Sequence, residues 1–270
     1  MRLTLALLGL LASLSSSLPA YAEEESTKKN SAELETSFNV WISREPNTSV
    51  MQTQFSMQPI FLFRDRLTLA PILHVTSMNI DLHGKKNVPF DVTLSLPPQL
   101  SLGGKIGFKF LTLDWFSITA QGEFEFPLSE NRAEITELVT RDELTKVPLS
   151  LETVQNHVMI THEWRRISFN LRLAANVDWW TPFVDVGFLS NSGRLAVTFD
   201  PAMNALLNTT KVTTDRFYDT SQSSPYYMLG SIFNIGGGFK FSLKIALLPS
   251  SDKIFFAGEG GITIPLNLLY

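Results

Sequence analysis

The side chains that could do chemistry in this sequence are charged groups an even number of residues apart, alternating with apolar side chains. Lys105 and Lys109 alternate with Leu102, Ile106, Phe108 and Phe110, and Glu123 and Glu125 alternate with Phe124 and Phe126. Arg172 and Asp178 alternate with Leu171, Leu173, Val177 and Trp179, and Lys240 and Lys244 with Phe239, Phe241, Leu243 and Ile245. Glu35 and Glu259 fall on comparable faces. A face that mixes acids and bases can pair them with one another in a confined space, since buried charges need partners. It can also line a wet path, where the same charges set ion selectivity. These eight residues (Lys105, Lys109, Glu123, Glu125, Arg172, Asp178, Lys240 and Lys244) are therefore candidates to line an interior.

Other chemistry has less support. His74, His83, His157 and His162 are the four histidines, and none sits in a His-x-Ser pattern or beside a convincing Asp partner in sequence. His157 is expected to face inward and His162 to lie near the end of a strand. With no cysteine there is no thiol nucleophile, disulfide framework or lipid-attachment site. No metal-ligand spacing occurs. Gly236-Gly237-Gly238 lacks the Lys-Ser/Thr and the helix of a phosphate loop, and reads as a tight turn. The expectation is a protein without catalytic residues, metal or cofactor.

The elements that carry these charges alternate with a period of two. Met51–Phe63 sets Met51, Phe55, Met57, Phe61 and Phe63 against Gln52, Gln54, Ser56 and Gln58. Leu96–Phe110, Phe116–Leu128, Ile167–Trp179 and Phe239–Leu247 repeat the pattern. Period two means strands with one apolar face. Their length, roughly 9 to 15 residues, exceeds the ~5–6 of a strand in a soluble protein and suits a tilted membrane crossing. A soluble barrel or sandwich would alternate in the same way, so strand length and the connections must discriminate.

Short turns are expected at Arg64-Asp65-Arg66, Leu113-Asp114 and Arg165-Arg166, with long loops near 79–95, 129–152 and 180–225. Short turns on one side and long loops on the other suit an outer-membrane barrel. Phe61, Phe63, Phe110, Trp115, Trp164 and Tyr270 would form one aromatic girdle, and Phe126, Trp179, Tyr226 and Tyr227 the other. Less regular strands at Leu34–Ile42, Leu67–Met78, Val154–Trp164, Tyr227–Ile235 and Ile254–Tyr270 bring the count to ten, within a range of eight to twelve. Phe183–Leu189 and Leu195–Phe199 are read as a protruding hairpin rather than two more strands. Ile135, Leu138, Val139 and Asp142 have helical spacing. Asp200-Pro201 reads as an N-cap and first helical residue ahead of Ala202–Leu207.

The two ends say where such a barrel belongs. Met1–Ala22 has Arg2, an apolar run Leu3–Leu11 and Ala20-Tyr21-Ala22, which is the pattern of a secretory signal peptide cleaved after Ala22. At the other end Ile262, Ile264, Leu266, Leu268 and Tyr270 alternate and finish on an aromatic. This resembles the C-terminal assembly signal of bacterial outer-membrane β-barrels. The resemblance implies an antiparallel up-and-down transmembrane β-barrel over residues 31–270, after a short periplasmic segment at 23–30. It also implies an outer-membrane location, with lipid, lipopolysaccharide and the barrel-assembly machinery as partners. Pro265 departs from an ideal last strand because it cannot donate to the ladder.

Composition narrows the function. The net charge is −4, and loss of Arg2 with the signal peptide makes it one unit more negative, so no basic face for nucleic acid is expected. After the leader, no run approaches the ~18 apolar residues of a spanning helix. Two functions remain open: a narrow channel for small solutes lined by the charges above, or a closed barrel that binds surface ligands through its extracellular loops.

Overall fold

The computed structural model describes residues 30–45, 48–82, 90–140, 150–210, 217–219, 221–249 and 254–266. The signal peptide, His83, Lys85, Lys86, Asp142, Leu268 and Tyr270 lie outside the described residues.

The chain closes on itself as an antiparallel barrel. Its strands are β1 (Ser31–Glu45), β2 (Thr48–Phe63), β3 (Leu67–Leu82), β4 (Phe90–Thr112), β5 (Phe116–Pro127), β6 (Asn131–Thr140), β7 (Val158–Ala175), β8 (Trp180–Phe199), β9 (Phe217–Asp219), β10 (Gln222–Gly236), β11 (Phe239–Pro249) and β12 (Ile254–Pro265). Two helices, α1 (Leu151–His157) and α2 (Pro201–Thr210), follow β6 and β8. The ring runs β1-β2-β3-β4-β5-β7-β8-β10-β11-β12 and closes β12 onto β1, giving ten positions. β6 prolongs β5 past a break at Leu128–Glu130, pairing with β4 and briefly with β7. β9 is a short extra strand on β8, outside the ring. Closure satisfies every sheet edge at this level, and only closed barrels and helices can do that in lipid.

The β2–β3, β4–β5, β7–β8 and β10–β11 hairpin turns gather at one end of the barrel, here called the turn end. Arg64 and Asp65 both take positive φ, 49° and 54°, as a two-residue hairpin between twisted strands demands. Leu113 and Phe116 exchange backbone hydrogen bonds around Asp114-Trp115. Gly236, Gly237 and Gly238 have φ of 103°, 61° and 83°, which confirms the glycine run as a turn. The helices mark the opposite, cap end.

Several expected elements are placed differently. Arg165-Arg166 is no turn: β7 runs 18 residues straight through it. The turn lies instead at Val177–Trp180, where Val177 bridges to Trp180. The long loop expected at 180–225, with Phe183–Leu189 and Leu195–Phe199 as a protruding hairpin, instead holds β8, a 20-residue ring strand, then α2, β9 and the start of β10. One strand read as two and one ring strand read as a loop offset each other, so the ring still counts ten. The loops expected at 79–95 and 129–152 likewise contain strand: β3 reaches Leu82, β4 begins at Phe90, and β6 occupies Asn131–Thr140. Ile135 is therefore in a strand rather than a helix. Asp200-Pro201 does open a helix, and the Met203 N–H donates to Asp200 Oδ1 at 2.8 Å.

The aromatic girdles are redrawn accordingly. Trp164 points inward and is buried, whereas Trp179 sits exposed in the turn. There the rings of Trp180, Trp179, Phe233 and Phe241 stack in series at centroid distances of 6.3, 6.1 and 6.3 Å.

Candidate functional site: the barrel interior and its cap

Alternation along each strand separates an outward apolar face from an inward polar one. Phe55, Leu73, Leu102, Phe169, Val186 and Ile245 are exposed on the outside, while Gln54, His74, Ser101, Asp185 and Ser242 are buried within. Seven of the eight charged residues singled out above fall on inward rows: Lys105, Lys109, Glu123, Glu125, Arg172, Lys240 and Lys244. Asp178 does not. It is exposed in the Val177–Trp180 turn, because the hairpin reverses two residues earlier than the alternation suggested.

From the turn end upward, the interior is layered. Lys240 Nζ meets Glu33 Oε1 at 2.7 Å. Next, Lys244 Nζ donates to Glu259 Oε1 at 2.6 Å and lies 3.6 Å from Glu35, which also accepts from Gln58 Nε2 at 2.7 Å. Arg172 grips Asp185 with two bonds of 2.8 Å, the planar fork geometry that suits a carboxylate. Its guanidinium lies 3.9 Å from the Phe183 ring centroid. Lys105 stands directly opposite Glu123 on the neighbouring strand. A bulge between Lys109 and Leu111 sets this register, since a regular ladder continued from Thr112–Ser117 would bring Lys105 opposite Phe124.

Above this lies a polar cavity of about 100 Å³, lined among others by Asn39, Trp41, His74, Lys105, Glu123 and Arg166. It is polar and roomy enough to hold water. Its roof is a tight knot. Glu125 Oε1 accepts from Gln54 Nε2 at 2.6 Å and from Ser101 Oγ at 2.7 Å, and Oε2 from Arg166 at 3.3 Å. The other amine of Arg166 donates to Gln52 Oε1 at 3.0 Å, and the guanidinium lies 4.9 Å from the Trp41 ring centroid. β7 and β1 stand opposite one another in the ring, so Arg166 spans the interior from wall to wall.

Beyond the knot the inward rows turn apolar. Ile80, Leu94, Leu96 and Leu195 are at most 1 % exposed, packed with Met78, Val92, Ile135 and Ile160. Val154 of α1 and Met203 of α2 close the same cluster. The helices meet end to end: His157 Nδ1 lies 2.6 Å from Asp200 Oδ2, and Asp200 N–H donates to the His157 carbonyl at 3.0 Å. The Met203 N–H, and after it His157, hold the Asp200 carboxyl below its ordinary 3.8.

Sequence reasoning missed Arg166, Asp185, Trp41 and the His157–Asp200 couple. Asp185 carried a usable signal, since Val184, Val186 and Phe188 alternate with it and Gly187 in the same inside-out pattern. Arg166 was hidden by the apparent Arg-Arg turn. The couple brings together residues 43 apart, which no local pattern reveals. His157 lies at the end of α1 rather than facing into the barrel. His162 lies buried beyond the knot, toward the cap end. Of the terminal pattern, Ile262 is exposed on the outward face, Ile264 is half-buried and Leu266 follows the strand in a short turn.

A closed ten-strand ladder, apolar outside and polar within, is the architecture of a transmembrane β-barrel of the bacterial outer-membrane class. No family model matches the chain, and no curated protein matches it either. Solved structures similar to it include the outer membrane protease OmpT from Escherichia coli, at 8 % identity and TM-score 0.48, covering 91 % of this chain and 97 % of that one. The translocator domain of the autotransporter NalP from Neisseria meningitidis is similar at 8 % identity and TM-score 0.42, covering 95 % and 93 %. Ail, the attachment invasion locus protein of Yersinia pestis, is similar at 8 % identity and TM-score 0.38, covering 88 % and 97 %. These likenesses are of overall form, and function rests on the interior of this chain.

Proposed function

We propose that this protein is a closed barrel of the bacterial outer membrane, exported with its signal peptide removed, that conducts no solute and acts through its outer, capped end. The observation that carries this reading is Arg166, which crosses the lumen from β7 to Gln52 and Trp41 and is held there by Glu125. The apolar cluster above it adds a second, water-excluding layer. The inward charges support a structural role, because most are paired at hydrogen-bond distance. Ten strands also lie nearer the side-chain-filled ~8-strand barrels than the water-filled ~16–18-strand porins. Surface ligands, lipopolysaccharide and the assembly machinery are the partners this reading expects.

The test is planar-bilayer recording on the folded, full-length mature chain, after a heat-modifiable band has shown that it is folded and co-flotation with vesicles that it is inserted. The reading expects inserted protein without discrete current steps. Reproducible steps whose ion selectivity reverses on exchanging Lys105 and Lys109 for Glu would overturn it in favour of a narrow channel. The polar cavity beside Lys105 is the feature from which such a channel would be built.

A further inference from the structure

The two helices at the cap end are joined through a single pair of titratable side chains. His157 is the last residue of α1, and Asp200 is the N-cap of α2. The Asp200 carboxylate is used twice. Oδ1 accepts from the Met203 N–H at 2.8 Å, and Oδ2 lies 2.6 Å from His157 Nδ1. Each side chain is more than a third exposed, so protons reach both from solvent. On the far side of α2, Met203 is buried in the apolar cluster.

We propose that the His157–Asp200 couple is a latch that holds α2 over the cap end and releases it when the carboxylate is protonated. A neutral carboxyl group keeps one oxygen acceptor but loses the charge that strengthens both its bond from the Met203 N–H and its contact with the His157 ring. The burial of Met203, the Asn204 Nδ2–H bond to the Phe199 carbonyl at 3.0 Å and the Asp200 N–H bond to the His157 carbonyl at 3.0 Å then remain as weaker tethers. Among the described residues, the charges on the helices themselves do not replace the couple. The first turn of α2 has no acid and its last turn no base, while Glu152 stands at the opposite end of α1. Val158 and Phe199, paired where β7 and β8 meet the helices, are uncharged.

The sign follows from the carboxyl group. Its proton affinity is lowered in the folded state, so the latch is fully engaged above pH 3.8 and is lost as pH falls through the lower folded value. Release is local, because the barrel ladders need no Asp200 contact to persist. The latch does not depend on the membrane reading and can be examined in detergent micelles.

Hydrogen exchange of the full chain, normalised for intrinsic rate, tests it at pH 6 and pH 3. The expected result is a several-fold loss of protection at the α2 amides of Asn204 and Ala205 at pH 3, at most about sevenfold for one carboxyl group of ordinary value 3.8, with β7 and β8 unchanged. Asp200→Asn keeps an N-cap acceptor but cannot titrate. It should show low α2 protection at pH 6 and no further step at pH 3. His157→Ala should lower α2 protection at pH 6. Equal wild-type protection at both pH values, or a pH step that survives in Asp200→Asn, overturns the latch. Loss of β7 and β8 protection at the same pH does so too, since release would then be global unfolding.

Discussion

Along β3, the inward His74 and Thr76 are polar and the outward Leu69, Leu73 and Val75 are exposed and apolar; a few residues later Met78 and Ile80 point inward, while Ser77, Asn79 and Asp81 point out. β4 makes the same exchange. Gln99 and Ser101 face in below, Leu94 and Leu96 face in above, and outward Leu100 and Leu102 give way to Thr93 and Ser95. The changeover in β4 coincides with a bulge that sets Pro97 and Pro98 outside the ladder between Thr76 and Met78. Proline cannot donate to a ladder, so a bulge is a natural place for it. One set of strands thus serves two solvents. Toward the turn end the apolar face meets lipid and the polar face is confined. Toward the cap end the outward face is polar and ordinary hydrophobic burial puts the apolar face inside, the pattern expected of strands that extend into water.

The comparison can be broken most strongly at the boundary. Glu125→Ala leaves Arg166 buried without its counter-charge, and removing one partner of a buried pair costs about 3–5 kcal/mol. Denaturant unfolding in detergent measures it, and a loss under 1 kcal/mol would mean the knot is hydrated rather than tight. Next comes the upper core. Leu195→Ala should cost about 3 kcal/mol, as for other fully buried leucines, while bilayer recordings stay silent because Arg166 remains in place.

The outside of the barrel separates the two halves by sign. Phe169→Lys, on the lower outward face, should cost about 2–4 kcal/mol in a bilayer, whereas Arg165→Ala, two turns of the alternation higher, should change stability by no more than about 0.5 kcal/mol. Equal costs at the two sites would place both in lipid and dissolve the distinction. The smallest effect is expected at the turn end, where Lys240 and Glu33 pair close to solvent. Lys240→Ala should cost less than about 1 kcal/mol, and salt should reduce even that.

How much of this was legible depended on which half a residue occupies. The lower half announced itself through Gln52, Gln54, Ser56 and Gln58 against Met51, Phe55 and Met57, because a polar face opposite an apolar one repeats every two residues. The upper half has the same period with its faces exchanged, so it blurred the pattern and was taken for loops. β8 suffered most, since Ser190-Asn191-Ser192-Gly193 in its middle looked like a turn. Those residues lie within one continuous 20-residue strand.

The sequence by itself determined the inside-out alternation of the lower half, the turns at Arg64-Asp65 and Gly236–Gly238, and the inward rows of seven charges, because each is a local consequence of side-chain period or backbone freedom. The tertiary structure alone decided who pairs with whom across the barrel. Arg166 and Gln52 are 114 residues apart, and Lys240 and Glu33 are 207 apart. Closure of the ring, its register and its bulges bring such groups within hydrogen-bond reach, and those are properties of the whole ladder that no single strand encodes.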